Sequence, residues 1–363
     1  MRRQRKLLTS ALGIKAVPAY HPLMEEETQV FLRRLLATPD EHLLHTRRYA
    51  GGLTLSVIYG YTCLDQRRPE CVDILSNRIA SGGGIWPVDI FPALKNWPLW
   101  APGSGFLRNA MVWKAKMEEF VEKPFEYTLR SLKYGTYAPS FCSRLLEEMD
   151  NRSEQSMFDL KWTANSMYSA SGDTTITTVM HFILAMILHP EVMDKARQEI
   201  DSVIGTERLP TFADRASLPY ETWRWGVPHR LMEDDVYRDM FIPKGSLVFG
   251  NIWSILRDES IYPNPDAFEP ERFLKPADPL TEKRRDVRNY VFGFGRRTCP
   301  GAHLVESSAW LLIANINSMD DEGNVIEPVV EFDNSVFRTP NPYKCTIKPR
   351  SEQAVRVISQ AGL

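Results

Sequence analysis

Ten residues, Phe292-Gly293-Phe294-Gly295-Arg296-Arg297-Thr298-Cys299-Pro300-Gly301, constrain this 363-residue chain more than any other stretch. Gly293 and Gly295 admit tight or left-handed turns, Pro300 suits the first turn of a helix, and an apolar run from Leu304 to Ile316 follows at once. The pattern predicts a loop that delivers the Cys299 sulfur to a helix N-terminus. There the helix dipole and unpaired N–H groups favour thiolate over thiol, Arg296 and Arg297 add positive charge, and Phe292 and Phe294 can keep water away. Such a sulfur suits a metal. The plainer alternative is a buried free cysteine in a Gly/Arg loop, a common place for unpaired thiols.

The spacing Phe292-x-x-Gly295-x-Arg297-x-Cys299-x-Gly301 resembles the haem-binding signature of the cytochrome P-450 (haem-thiolate monooxygenase) family, filled at every position. The resemblance implies haem b as cofactor, with Cys299 as the proximal iron ligand. Arg297 would pair with a haem propionate, and Phe292 would pack near a sulfur whose electron donation favours O–O cleavage. Two further segments resemble family patterns. Glu221-Thr222-Trp223-Arg224 is similar to the ExxR pair, a carboxylate and a guanidinium on one helix face. Phe268-Glu269-Pro270-Glu271-Arg272-Phe273 is similar to the PERF segment, whose arginine, here Arg272, is implied to complete a Glu221/Arg224/Arg272 network bracing the cysteine loop. Taken alone, an ExxR pair is usually a solvated helix face and Pro-Glu-Arg-Phe could be any turn.

Met157 to His189 reads as one long, mostly apolar helix interrupted by Ser169-Ala170-Ser171-Gly172-Asp173-Thr174-Thr175. Gly172 weakens helical preference, and Ser or Thr hydroxyls can bond carbonyls one turn back, which bends helices and opens a groove. The segment resembles the family's A-G-x-D/E-T-T stretch, with Ser171 in place of the usual glycine. By that resemblance Asp173 and Thr174 form the acid–alcohol pair that relays protons on the distal side of the haem. The alternatives are that Asp173 N-caps a new helix starting at Thr174, or that the threonines are ordinary core residues.

The N-terminal Met1-Arg2-Arg3-Gln4-Arg5-Lys6-Leu7-Leu8 is similar to the family's W-x-x-x-R segment entered midway, with Arg5 at the propionate-binding arginine and Met1 where the tryptophan would stand. His229 matches a further propionate contact. The resemblance thus implies a single haem domain over residues 1–363, incomplete at the N-terminus, without the anchor, the early helices or part of the N-terminal sheet. It also implies internal shortfalls before Glu221, after Trp225 and after Asn315.

Hydrophobic residues make up 43% of the chain, enough for a large core, and the formal net charge is −2. That balance, with no zinc spacing and no basic stripe interleaved with aromatics, argues against a nucleic-acid footprint. Five scattered cysteines, Cys63, Cys71, Cys142, Cys299 and Cys345, do not suggest a disulfide framework. No phosphate-cradling loop or convincing dinucleotide fingerprint occurs. The best candidate for a membrane span, Ile176 to Leu188, is short and contains His181. Proline-rich loops divide the helices between Ala11 and Met149. The most aromatic, Ile85 to Pro102, resembles the family's F–G region, which roofs the substrate channel and can touch lipid. Pro190 to Gly205 reads as a polar helix, Phe241 to Phe249 as strand, turn and strand, and Lys344 to Val355 as a terminal hairpin or tail.

The expected fold class is therefore mostly α with a small β-sheet (α+β), the haem-domain fold of the resembled family. The implied function is fungal, microsomal-type monooxygenation of a lipophilic small molecule in secondary metabolism or xenobiotic oxidation. O2 and an NADPH-cytochrome reductase are the implied partners, with the reductase steered by Arg2, Arg3, Lys6 and Arg296. Location would be the cytosolic face of the endoplasmic reticulum membrane with peripheral contact, or the cytosol if no anchor precedes residue 1. Two other readings stay open: a non-catalytic haem-binding remnant, and a haem-thiolate isomerase or dehydratase that needs no reductase.

Overall fold

The computed structural model describes residues 2–61, 86–149, 152–217, 229–248, 250–317, 340, 343, 347–349 and 351–360. Its longer helices are α1 (Arg2–Leu12), α2 (His21–Ala37), α3 (His42–Tyr59), α4 (Gly105–Tyr134), α5 (Phe141–Glu148), α6 (Glu154–Leu188), α7 (Pro190–Val203), α8 (Ala302–Asn317) and α9 (Glu352–Gln360). The architecture is mostly helical with little sheet, as the sequence predicts.

α3 is the axis of the packing. Every residue from Tyr49 to Tyr59 is buried, so the helix is surrounded and not amphipathic. It packs along α6 on one side and α2 on the other. It ends at Gly60, whose left-handed backbone (φ 79°) returns its amide to Ser56, and a Cβ there would stand 2.7 Å from the Ala138 carbonyl oxygen. Only glycine fits both conditions. One continuous core joins Phe31, Tyr49 and Ile58 with Leu160 and Val179 of α6 and Leu311 and Leu312 of α8.

α6 starts cleanly because the Ser153 hydroxyl accepts from the Ser156 amide, and it stops where His189-Pro190 opens α7. The expected interruption at Ser169–Thr175 is absent, and the helix runs unbroken for 35 residues. By length and composition α6 could cross a membrane, a span longer than the Ile176–Leu188 segment the sequence suggests. Here it packs against α3 and α8 in the core. α7 is amphipathic, with Val192, Met193, Ala196 and Ile200 buried, and is not polar all round. The C-terminal stretch expected as hairpin or tail instead carries α9, which sinks Ile358 beside α2.

Among the described residues between the turn at Phe212–Ser217 and α8 lie four short strands, β1 (His229–Arg230), β2 (Asp235–Tyr237), β3 (Met240–Ile242) and β4 (Leu247–Val248). Two antiparallel ladders result. β2 and β3 form a hairpin through Asp235 against Ile242 and Tyr237 against Met240, closed by Arg238 and Asp239, both at positive φ. β1 pairs with β4 through His229 against Val248. The strands on either side of Pro243-Lys244-Gly245 thus exist, but each pairs elsewhere and not with the other.

Candidate active site

The Cys299 loop is built much as its glycines require. Gly293 (φ 78°) and Gly295 (φ 59°) take left-handed backbone, and a short 3₁₀ turn covers Gly295–Arg297. The Cys299 amide donates to the Phe292 carbonyl at 2.7 Å, folding the loop back on itself. α8 begins three residues later, at Ala302. Gly301 leaves the sulfur's flank open, since a Cβ there would sit 3.8 Å from Sγ. Cys299 itself is exposed, so the aromatic shielding expected of Phe292 and Phe294 is not complete among the described residues. Phe292 is half-buried, while Phe294 is largely exposed and turns its ring toward Gly250, whose Cβ position is 2.8 Å from Cε2.

α1 ties this loop to the long helix. Arg3 Nε donates to Asp159 Oδ2 of α6 at 2.7 Å, and Gln4 and Gln155 both donate to Oδ1 of that buried carboxylate. Arg5, two residues on, donates through Nη2 to the Thr298 carbonyl, immediately before Cys299. A second tie flanks the loop. Arg288, just upstream, and Arg215, from the Phe212–Ser217 turn, each reach Glu306 Oε1 of α8 at 3.2 Å. Asp286, and after it Glu306, hold the Arg288 guanidinium above its ordinary pKa. Arg215 also donates to Ser307 and lies over the Trp310 ring.

Arg272 is held by its own loop. Its Nε donates to Glu269 O, Nη1 to Pro263 O, and Nη2 to Asn264 O and Ala267 O. Glu221 and Arg224 lie outside the described residues, as does the His229 side chain; the His229 backbone is in β1. The internal shortfalls flanking Glu221 and Trp225 also fall outside them, and Asn315 is the last buried residue but one before another such segment. Arg297 is exposed, with no side-chain partner among the described residues.

On α6 the hydroxyls bond back along the helix: Ser169 to Asn165 O at 2.9 Å, Thr174 to Ala170 O at 2.8 Å and Thr178 to Thr174 O at 2.8 Å. Asp173 and Thr174 are both half-buried. Ser171 bonds Thr54 of α3 across 2.7 Å.

The donor chemistry fits a haem. Cys299 is an unpaired, accessible thiol among the described residues, the loop holds its backbone by the amide bond to Phe292, and the Arg5 and Arg297 guanidinium groups belong to the same neighbourhood. Sequence patterns did not reveal Asp159, Thr54 or Glu306. A signal existed for Glu306 alone, as the single charge in the apolar Leu304–Ile316 run.

The chain is similar to known proteins of one family. A family model described as Cytochrome P450 matches residues 1–317. The cytochrome P450 monooxygenase claT of Ampulloclitocybe clavipes is 40% identical over 384 aligned positions, covering 98% of this chain and 76% of its own. That alignment runs to more positions than the chain has residues, so claT carries stretches with no counterpart here. The cytochrome P450 monooxygenase claR of the same fungus is also 40% identical, covering 99% of this chain and 71% of its own. Cytochrome P450 monooxygenase 208 of Postia placenta is 38% identical, covering 99% and 74%.

Proposed function

The chain belongs to the cytochrome P450 family, and from that membership we propose that it is a haem-thiolate monooxygenase inserting one atom of O2 into a lipophilic small molecule. Its electrons come from an NADPH-dependent reductase. The observation that carries this reading is the Cys299 loop, an accessible unpaired thiol with its own amide tied to Phe292, set just ahead of an apolar helix.

Haem b, when bound, supplies the one-electron and O2 chemistry that side chains lack. Cys299 would hold it through Sγ, three residues ahead of α8. Arg297, Arg5 and His229 would bind its propionates, Arg5 from a position already fixed by Thr298. Phe292 packs beside the sulfur, Gly301 keeps a side chain from its flank, and Gly295 supplies the left-handed turn that leads to it. Glu221 and Arg224 pair on one helix face and, with Arg272 as third member, brace the cysteine loop. Thr174 turns its hydroxyl proton away from the Ala170 carbonyl and gives it to the distal side, takes another from the Asp173 carboxyl, and Asp173 regains a proton from solvent, so one proton moves inward and both residues are restored.

Lys6 and Arg296 are exposed on or near the loop and favour an acidic reductase face, an attraction that salt weakens. Arg3 remains largely exposed although it pairs with Asp159. The protein works at the cytosolic face of the endoplasmic reticulum membrane, touching lipid through the aromatic loop ahead of α4, in secondary-metabolite or xenobiotic oxidation.

The test is spectroscopic. The chain expressed with a haem precursor, reduced and exposed to carbon monoxide, is expected to give a strongly red-shifted Soret band that Cys299→Ala abolishes. Wild-type protein that takes up no haem would overturn the monooxygenase reading in favour of a non-catalytic remnant.

A further inference from the structure

We propose that Thr54 is a positioning residue for the Asp173–Thr174 pair, acting through Ser171; this rests on the proton-relay reading of that pair. Thr54 belongs to α3, the buried axis of the fold, and is itself 4% exposed. Its hydroxyl lies 2.7 Å from the Ala50 carbonyl. Each hydroxyl has one proton to give, so at the 2.7 Å contact one of Thr54 and Ser171 donates to the other while its partner's proton goes to a carbonyl of its own helix. Ser171 has an alternative acceptor in the Tyr168 carbonyl at 3.1 Å, the back-bonded geometry adopted elsewhere along α6. The shorter bond to Thr54 links one helix to the other.

Ser171 also touches the pair from its other side. Its carbonyl lies 3.4 Å from Thr174 Oγ1, which bonds more closely to Ala170 at 2.8 Å. The carbonyls of residues 170 and 171 therefore set where the Thr174 hydroxyl points at rest. Where the family carries glycine, nothing at this position could reach α3. In this chain the serine converts a weak point next to Gly172 into a cross-helix tie. The tie holds the turn from Ala170 to Thr174 against the buried α3, so the acid and the alcohol are presented in one orientation.

The experiment uses the full chain and two readouts. Hydrogen exchange at the amides of residues 174 and 175, which close helical turns onto Ala170 and Ser171, is expected to quicken about three- to tenfold in Thr54→Val, the scale of one lost buried hydrogen bond. Thr54→Ser should restore the wild-type rate, and Thr54→Val combined with Ser171→Ala should exchange no faster than the quicker single variant. In the haem-loaded enzyme with reductase, Thr54→Val should raise the peroxide released per NADPH consumed without losing the thiolate Soret signature. Unchanged exchange, or additive effects in the double variant, would overturn the tie. Altered exchange without extra peroxide, when Thr174→Ala does release peroxide, would overturn the positioning role. Should Thr174→Ala itself leave peroxide unchanged, the relay reading fails separately, and with it any positioning role for Thr54. Ser171→Gly gives a second route to the same loss if Thr54→Val does not fold.

Discussion

Asp214 accepts four hydrogen bonds: Arg208 Nη1 at 2.7 Å and Nη2 at 2.6 Å, the Thr211 amide at 2.9 Å and the Thr211 hydroxyl at 3.0 Å. These donors favour the ionised form, Arg208 foremost, and hold the carboxyl down to about 2 against the desolvation that opposes them. The folded value lies below the unfolded one, so the stabilisation is complete above about pH 4 and is lost as pH falls toward 2. A shift of this size corresponds to about 2 kcal/mol by linkage, and Arg208 is half exposed, so screening reduces it to about 1 kcal/mol. Asp214→Asn is expected to lower the urea unfolding free energy by that amount at pH 7 and by about half of it at pH 3. An equal deficit at both pH values would refute the linkage. The consequence reaches the site, because the turn that Asp214 fixes also carries Arg215, which holds Glu306 beside the cysteine loop. At this scale the sequence made Cys299 legible, since its neighbours impose local backbone constraints: left-handed glycines and a proline ahead of a helix. Asp159, Thr54 and Glu306 were not, because Arg3 and Asp159, or Thr54 and Ser171, stand more than a hundred positions apart and meet only through helix packing.

The long helix α6 shows why local weakness does not dictate a break. Gly172 costs about 1 kcal/mol relative to alanine, but Met167, Tyr168, Ile176, Val179 and Met180 bury their side chains on either side of it, each worth about 1.5–3 kcal/mol. The hydroxyls of Ser169 and Thr174 add second donors to carbonyls already in the ladder and leave the helix wound. The β2–β3 turn escaped notice for a related reason: Arg238 and Asp239 adopt positive φ without the glycine or asparagine that usually advertises it. The aromatic loop ahead of α4, by contrast, was legible as a composition and acquires a shape. Ser104 and Arg108 both donate to the Leu99 carbonyl, and Trp97 Nε1 donates to Pro102 O, so the loop is fastened to the start of α4. Phe91, Trp97, Leu99 and Trp100, the last 86% exposed, then stand out with Met111 and Val112 of α4. Lys95, Arg108, Lys114 and Lys116 are exposed alongside. An apolar projection with basic flanks, its backbone already hydrogen-bonded, suits an anionic membrane surface. Sedimentation with anionic vesicles is expected to weaken at least about tenfold in Phe91→Ser/Trp100→Ser, the scale of removing two large side chains from lipid. Retention of full binding by that variant would remove this loop from any membrane contact.

Across the whole molecule, burial is divided unevenly around the candidate site. α3 and α6 lie in the continuous core, whereas between residues 229 and 300 the buried hydrophobic side chains among the described residues are Tyr262 and Val291. The β2–β3 hairpin exposes Val236, Tyr237, Met240 and Phe241 and closes with two strained residues. Segments with so little buried apolar surface open at a small fraction of the global unfolding free energy. Asp173 and Thr174 therefore stand on the firm part of the fold and the Cys299 sulfur on the soft part, joined by α1, Arg288 and Glu306. A haem spanning the two would stabilise only those conformations in which the cysteine loop is folded, by mass action. Adding hemin is thus expected to slow hydrogen exchange at the Thr298 and Cys299 amides, bonded to Gly295 O and Phe292 O, by about tenfold or more. The Tyr237 and Met240 amides, whose opening leaves the loop intact, should change by less than about twofold. Uniform slowing across loop and hairpin would mean that residues 229–300 open as one unit with the site, and the division of stability drawn from their burial would be wrong.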